Sequence, residues 1–286
     1  MDALTRIEHI GLIPVIKIED AADAAPLCRA LADGGLPVAE ITFRTPAAEE
    51  AIRRASAELP DVLVGAGTVL TVDQAARAIA AGAKYIVSPG LNPAVVAHCV
   101  ERGVPVLPGC ATPSDIEAAL SFGLDTVKFF PAEALGGLKL IEAMSAPYGG
   151  ISFVPTGGIG EKNAREYLAF PKVRAVGGSW MAPAGMIRAR DWTGITARAK
   201  AAVALVIGLE LEAIELPGAR ADAQQLEDLL GGVLRLGGAR IALTTTNLKR
   251  AVYHLGLRGY AFEPARDGVA HMAGEIAGLA VELRER

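Results

Sequence analysis

A lysine within an otherwise apolar segment is the first residue of this sequence suited to chemistry. Lys128 stands between Val127 and Phe129 in the run TVKFFP, where a strand of a folded core normally carries an aliphatic side chain. Burial disfavours the charged form of an amine, and an unprotonated amine is the nucleophile that attacks a ketone. The alternative is a structural lysine paired with a carboxylate, and the strand alone leaves both interpretations open.

A second segment supplies an acid and a cation on one strand face. The run VAEITFR places Glu40, Thr42 and Arg44 at a spacing of two. Glu40 is a candidate for proton transfer. The alternative is a salt bridge to Arg44 or Lys128, and the two roles are compatible because a paired carboxylate can still act as a base. Arg44 offers a fork for a substrate carboxylate, whereas an isolated arginine is more often exposed. Thr68 is a hydroxyl donor for the same carboxylate or a cap for the next helix.

Two glycine-rich turns indicate a phosphate site. The runs PTGG at 155–158 and GGS at 177–179 end the last two predicted strands, where barrels commonly hold phosphate on backbone amides. The alternative is that the glycines only permit tight turns. The candidate phosphate contacts are Gly157, Gly158, Gly178 and Ser179.

No metal or cofactor is expected from the sequence. The four histidines form neither an H-x-H nor an H-E-x-x-H cluster, so a metal-dependent reaction is disfavoured. The three cysteines are widely spaced and show no C-x-x-C pair, which argues against a disulfide framework or a zinc site. A reducing, cytoplasmic environment is therefore expected.

The first two thirds of the chain predict a barrel of alternating strands and helices. Short runs rich in Val, Ile and Phe alternate with Ala-rich helical segments, as in repeated βα units. Eight such runs favour a closed (βα)8 TIM barrel over an open doubly wound sheet, because no G-x-G-x-x-G fingerprint follows a strand. The predicted strands are 12–18, 38–44, 63–69, 84–89, 104–110, 125–131, 151–157 and 173–179.

The pattern changes near residue 203. Predicted strands LELEAIELPG, ARIALTTT, YAFEP, GVAHMAG and GLAVELRE accompany predicted helices ADAQQLEDLLG and NLKRAVYHLGLRG. We therefore predict a barrel over 1–206 and a small α+β domain over 207–286.

Charge and hydropathy restrict the partners. The 286-residue chain has a formal net charge of -4 and no block of Lys or Arg, which disfavours nucleic acid and anionic membranes. No signal peptide and no apolar stretch of about 18 residues is recognisable. Small-molecule substrates and other subunits are the expected partners.

Taken together, these motifs resemble those of a known enzyme family. VAEITFRT, VGAGTV, VSPG, TVKFFPAE, PTGGI and GGSW, in this order over residues 5–205, are similar to the 2-keto-3-deoxy-6-phosphogluconate (KDPG) / 4-hydroxy-2-oxoglutarate (KHG) aldolases. The resemblance implies a homotrimeric class I aldolase in which Lys128 forms the Schiff base and Glu40 is the general acid/base. It further implies that Arg44 and Thr68 bind the pyruvyl carboxylate. The implied pocket lining is Pro89, Phe130 and Thr156, and the implied phosphate contacts are Gly157, Gly158, Gly178 and Ser179.

The implied reaction is reversible cleavage of KDPG to pyruvate and glyceraldehyde 3-phosphate. KHG and the galactonate-derived epimer of KDPG are alternative substrates, because one hydroxyl orientation depends on finer pocket details than residue identity. A phosphosugar isomerase or epimerase is the alternative from another class, since it would use the same glycine turns without a lysine imine.

The C-terminal residues resemble a different module. Their second half, NLKRAVYHL through GLAVELRE, is similar to a glyoxalase/vicinal-oxygen-chelate module, but the His/Gln/Glu pattern that would hold a metal is not evident. Glu210, Glu212 and Glu215 are more readily explained as solvated or edge-strand residues than as ligands. A structural or oligomer-forming appendage is therefore expected.

Overall fold

The computed structural model describes residues 1–216, 233–236 and 239–286. The chain divides into two compact units, Met1–Val203 and Ala204–Arg286. Among the described residues, no helix combines the length and apolar character needed to cross a bilayer.

The first unit alternates strands with helices, as the sequence predicts. Each observed strand lies within its predicted segment and is shorter at one or both ends. The strands are β1 Leu12–Ile16, β2 Val38–Thr42, β3 Leu63–Gly67, β4 Ile86–Val87, β5 Val106–Leu107, β6 Thr126–Phe129, β7 Ser152–Pro155 and β8 Val176–Gly178. The helices are α1 Ala3–Ile10, α2 Ala24–Asp33, α3 Ala48–Glu58, α4 Val72–Ala80, α5 Pro93–Glu101, α6 Pro113–Ser121, α7 Gly137–Ser145, α8 Ala164–Ala169, α9 Ala184–Arg188 and α10 Trp192–Ile207.

The strands form an α/β, barrel-like arrangement. Six pair in parallel in the order β5-β4-β3-β2-β1-β8, and β6 pairs with β7 in a second parallel sheet. Isolated parallel bridges join Gly109 to Lys128 and Thr156 to Gly177. Backbone hydrogen bonds accompany the first bridge, since the Lys128 N–H donates to the Pro108 carbonyl at 2.9 Å and the Cys110 N–H donates to the Lys128 carbonyl at 2.8 Å.

Polar side chains cap the starts of three helices that follow strands. Thr71, Asn92 and Thr112 each accept a hydrogen bond from the first turn of the helix that follows. Thr112 and Asp115 form a reciprocal capping box at the start of α6. These caps satisfy amides that have no partner within the helix, and so they fix where each chain segment turns away from the strand ends.

The core of the first unit contains a fully buried tyrosine. Tyr85 donates a hydrogen bond from its hydroxyl to the Ala39 carbonyl at 3.1 Å, so its polar atom is satisfied. A Cβ at Gly65 would overlap the Tyr85 ring. Glycine on β3 therefore makes room for an aromatic side chain beneath the strand ends.

The second unit is a mixed sheet with one described helix. Its strand order is β10-β9-β11-β13-β12. The elements are β9 Glu210–Leu216, β10 Leu234–Leu236, β11 Arg240–Thr245, α11 Leu248–Leu257, β12 Val269–Ile276 and β13 Leu279–Glu285.

The second unit differs from its sequence predictions in two strands, and one predicted helix cannot be compared. The run YAFEP is not a strand but contributes one isolated bridge, from Phe262 to Met272. The strand β10 was not predicted, because its run is too short to show a period. The predicted helix ADAQQLEDLLG lies outside the described residues.

Candidate active site

A lysine and a glutamate meet in the interior of the first unit. Lys128 on β6 and Glu40 on β2 are separated by 3.7 Å between Nζ and Oε1, with side chains 7% and 3% exposed. Both side chains therefore point inward. Burial of two ionisable groups is costly unless they interact, and a molecule bound beside the pair could reach both the amine and the carboxylate.

The glutamate carboxylate retains an acceptor position. Glu40 Oε1 is buried and accepts no hydrogen bond from the described residues, since the lysine nitrogen lies beyond hydrogen-bond distance. Buried polar atoms are normally hydrogen-bonded, and exceptions cluster where function requires them. This oxygen is suited to receive a proton from a ligand.

Glycine on β3 creates the space that the carboxylate occupies. Thr42 on β2 is in register with Gly67 on β3, and Glu40 with Gly65. A Cβ at Gly67 would overlap the Glu40 carboxylate. Gly67 therefore determines where the acid can lie.

The surroundings of the lysine are apolar on one side. The Phe130 ring centroid lies 5.1 Å from Lys128 Nζ. Phe130 itself is half-buried and borders the space near the amine. An aromatic face at this distance stabilises a cation and tolerates a neutral amine, so it suits a group that changes charge during a reaction.

Arg44 is held by a residue that the sequence pattern did not single out as functional. Thr42 is buried, donates its hydroxyl to the Ile16 carbonyl at 2.7 Å and accepts from Arg44 Nε at 3.0 Å. Arg44 is exposed, and no carboxylate of the described residues pairs with its guanidinium. The arrangement orients a cation near the strand ends, as needed for a carboxylate ligand.

Thr68 and Pro89 lie at the ends of neighbouring strands. Thr68 has φ 56°, a left-handed conformation that is uncommon for threonine. It does not cap the following helix, because the cap of α4 is Thr71. Pro89 is half-buried, and a Cβ at Gly109 would overlap its carbonyl group.

The two glycine turns are brought together. Gly157 and Gly158 both have positive φ, 100° and 81°, which only glycine adopts readily. The bridge between Thr156 and Gly177 joins the ends of β7 and β8, and Thr156 fits there because Gly177 has no side chain. Gly178 belongs to β8, and the exposed Ser179 follows it directly.

The cysteines are poor nucleophiles. Burial raises the pKa of Cys28 to about 12 and that of Cys99 to about 11. Burial, followed by the nearby Asp115 carboxylate, raises the pKa of Cys110 to about 12. Thiolate is the reactive form, so these thiols are almost entirely protonated and unreactive near neutral pH. Among residues that the structure describes, no group of three or more His, Cys, Asp or Glu side chains is placed to hold a metal ion.

Comparison with known proteins confirms the resemblance. Residues 4–198 match the family described as KDPG and KHG aldolase. A 2-dehydro-3-deoxy-phosphogluconate aldolase of Treponema pallidum is 52% identical over 200 residues, covering 70% of this chain and 95% of the relative. The KHG/KDPG aldolase of Escherichia coli K12 is 42% identical over 192 residues, covering 67% of this chain and 90% of the relative.

Solved structures give the same result. A KDPG aldolase of Legionella pneumophila, with pyruvate captured as a covalent carbinolamine intermediate, is 39% identical with a TM-score of 0.68, covering 70% of this chain and 98% of that one. A 2-keto-3-deoxy-6-phosphogluconate aldolase of Zymomonas mobilis with 3-phosphoglycerate is 43% identical with a TM-score of 0.65, covering 69% of this chain and 93% of that one.

The contact between Gly67 and Glu40 gives a testable prediction. In Gly67→Ala the added methyl group displaces the Glu40 carboxylate, so we expect kcat for KDPG cleavage to fall at least about tenfold, given that general acid–base catalysis contributes roughly 10²–10⁴. The matched control is Gly185→Ala, where a Cβ meets no atom within 4 Å. Steady-state kinetics with circular dichroism as a folding check decides the matter. Wild-type kcat in a folded Gly67→Ala protein contradicts this role.

Proposed function

The chain belongs to the KDPG and KHG aldolase family, and we propose that it is a class I aldolase that reversibly cleaves KDPG to pyruvate and glyceraldehyde 3-phosphate. The observation that carries the proposal is the buried Lys128–Glu40 pair with its 3.7 Å separation. The identities of the T. pallidum and E. coli relatives, and their nearly complete coverage, support the same substrate class.

Lys128 supplies the nucleophile. Its Nζ attacks C2 of the substrate ketone to give a carbinolamine, which loses water to form an iminium ion. Glu40 lies close enough to donate and accept the protons that these steps move. Pyruvate captured as a carbinolamine in the L. pneumophila relative supports this sequence of events.

Cleavage then uses the iminium as an electron sink. Glu40 removes the proton of the C4 hydroxyl, the C3–C4 bond breaks, and its electron pair flows into the iminium to give an enamine. Glyceraldehyde 3-phosphate leaves as the aldehyde. The enamine is protonated at C3, and water hydrolyses the resulting iminium to release pyruvate and the free lysine.

The remaining site residues bind the two ends of the substrate. Arg44, oriented by Thr42, and the hydroxyl of Thr68 bind the pyruvyl carboxylate. Pro89, Phe130 and Thr156 line the pocket between the two ends. The substrate phosphate binds at the strand ends of β7 and β8, on Gly157, Gly158, Gly178 and Ser179.

KHG is a second candidate substrate. It has the same 2-keto acid end, and relatives such as the E. coli enzyme carry both substrate names. The same lysine chemistry applies, with glyoxylate as the released aldehyde. A pocket that binds the pyruvyl end tightly accommodates both substrates, and the phosphate turns favour the larger one.

Closure of the eight strands into a barrel supports these roles. We infer that the eight strands form a closed (βα)8 barrel, because backbone bridges link β5 to β6 and β7 to β8. Closure places all strand carboxyl ends at one mouth, where barrel enzymes carry their active sites. A cytoplasmic location is part of the proposal, since the three cysteines are unpaired and buried.

Kinetics of matched variants tests the function. Lys128→Ala is expected to abolish KDPG cleavage, because no nucleophile remains, while Lys139→Ala on the exposed face of α7 retains wild-type kcat. Glu40→Gln is expected to lower kcat by roughly 10²–10⁴ with a smaller change in KM. Coupling pyruvate release to lactate dehydrogenase measures kcat and KM of each variant. Substantial cleavage by Lys128→Ala would overturn the mechanism.

We also propose a role for residues 207–286 as a structural or oligomer-forming appendage of a homotrimer. The family match covers residues 4–198, which lie in the first unit, and the T. pallidum and E. coli relatives are covered over 95% and 90% of their own length. The chemistry therefore needs no residue of the second unit. The four-residue charge network of that unit, which pairs Arg240 with Glu215 and Glu282, and Glu282 with Arg284, resembles a structural element more than a second active site.

Truncation after residue 206 tests the appendage. Light scattering on the full chain is expected to give the mass of a homotrimer of the 29.6 kDa chain. The shortened chain is expected to keep Lys128-dependent cleavage but to change its assembly state or lose stability. Full activity together with unchanged assembly and an unchanged unfolding midpoint would refute this role.

A further inference from the structure

A tyrosine and a glutamate outside the catalytic pair are joined beside the glycine turn after β7. Glu133 opens a short 3₁₀ turn, Glu133–Leu135, that follows β6, and its carboxylate accepts a hydrogen bond from the hydroxyl of Tyr167 on α8. Tyr167 is only 1% exposed. Burial, followed by the hydrogen bond to Glu133, raises the pKa of Tyr167, so its hydroxyl remains a proton donor across the physiological range.

The space for this hydrogen bond is built into the fold. A Cβ at Gly137, which has φ 62°, would stand 3.0 Å from the Tyr167 hydroxyl and 3.2 Å from Glu133 Oε1. The absence of a side chain at the start of α7 therefore lets the two groups meet. The bond links segments 34 residues apart.

The side chain of Glu133 lies against the glycine turn. A Cβ at Gly158 would lie 2.5 Å from Glu133 Cγ and 2.6 Å from its Cβ, which no real side chain tolerates. The backbone binds the same turn, because the Glu133 N–H donates to the Gly157 carbonyl at 3.1 Å and the Ala132 N–H donates to the Thr156 carbonyl at 2.8 Å.

The opposite side of the turn is also held. Asn163 donates from Nδ2 to the Gly158 carbonyl at 3.3 Å and accepts from the Gly160 N–H at 2.8 Å. Both glycines of the turn have positive φ, so their own conformational preference is weak. External contacts must therefore select one conformation of the turn.

Glu133 places a negative charge beside the proposed phosphate site. A carboxylate beside a phosphate site repels the ligand if it is free to approach it. The hydrogen bond to Tyr167 on α8 holds the carboxylate away from the phosphate-binding amides, while Cβ and Cγ of Glu133 stay against Gly158.

We propose that Tyr167 and Glu133 are positioning residues for the phosphate of the substrate: their hydrogen bond holds the Glu133 side chain against Gly158 and keeps the Gly157–Gly158 turn in its phosphate-binding conformation. The inference rests on the proposed function, which places the substrate phosphate on this turn. Among the described residues, neither Tyr167 nor Glu133 pairs with Lys128 or Glu40, so the pair affects binding of the phosphorylated end rather than the lysine chemistry.

Two readouts separate phosphate binding from the chemistry. KM for KDPG reports the phosphorylated substrate. Exchange of the pyruvate methyl protons for deuterium, followed by NMR, reports enamine formation on Lys128 and involves no phosphate. A wild-type protein that neither exchanges pyruvate protons nor cleaves KDPG refutes the proposed function itself, whereas the variants below test only the positioning pair.

Tyr167→Phe is expected to raise KM for KDPG about 3- to 10-fold, the effect of one lost hydrogen bond, with kcat and pyruvate exchange little changed. Glu133→Ala is expected to do the same. Glu133→Gln keeps an oxygen that accepts from the tyrosine, so its KM should stay within about twofold of wild type. The double variant Tyr167→Phe/Glu133→Ala should be no worse than either single variant, because both remove one interaction.

Several results would overturn the inference. They are an unchanged KM in Tyr167→Phe, an equal loss of pyruvate exchange and KDPG binding in the single variants, and additive effects in the double variant. A Glu133→Gln protein as impaired as Glu133→Ala would likewise exclude the hydrogen bond as the cause.

Discussion

The structure of the first unit depends on placing one amine and one carboxylate inside an apolar strand layer. Burying either group alone is strongly unfavourable, so Lys128 and Glu40 can be interior only together. Their strands lie in separately paired sheets, and the bridge at Gly109–Lys128 connects β6 to the six-stranded sheet that contains β2. Strand register, the glycines of β3 and the ring of Phe130 after β6 all serve this pair.

A second buried glutamate shows how a structural carboxylate differs. Glu282 in the second unit is 2% exposed and pairs with both Arg240 and Arg284. Burial acts to raise its pKa, but hydrogen bonds from Arg284 and Arg240 outweigh that effect and lower it. Glu40 instead has one nitrogen at 3.7 Å and an oxygen with no hydrogen bond among the described residues. A fully paired carboxylate stabilises a sheet, whereas a partly paired one is available to a substrate.

Much of the site could be predicted from the sequence because its signals are local. Lys128 interrupts an apolar run, Glu40 and Arg44 share a strand face, and glycine pairs end two strands, so each feature is visible within a few residues. What could not be predicted depends on contacts across the fold. The overlap that a side chain at Gly67 would cause, the support of Arg44 by Thr42, and the Tyr167–Glu133 bond all require knowing which strands and helices are neighbours. The run YAFEP favours a strand locally because of its aromatic residues, but in the structure it makes only one isolated bridge within the described residues.

The most direct test of this account is to trap the bond between Lys128 and pyruvate. Incubation with pyruvate and borohydride, followed by peptide mass spectrometry, is expected to give a reduced pyruvyl adduct on Lys128 of the wild-type protein and none in Lys128→Ala. Absence of any adduct at saturating pyruvate, or an adduct on another lysine that persists in the variant, would contradict Schiff-base catalysis and favour a phosphosugar isomerase or epimerase that needs no imine.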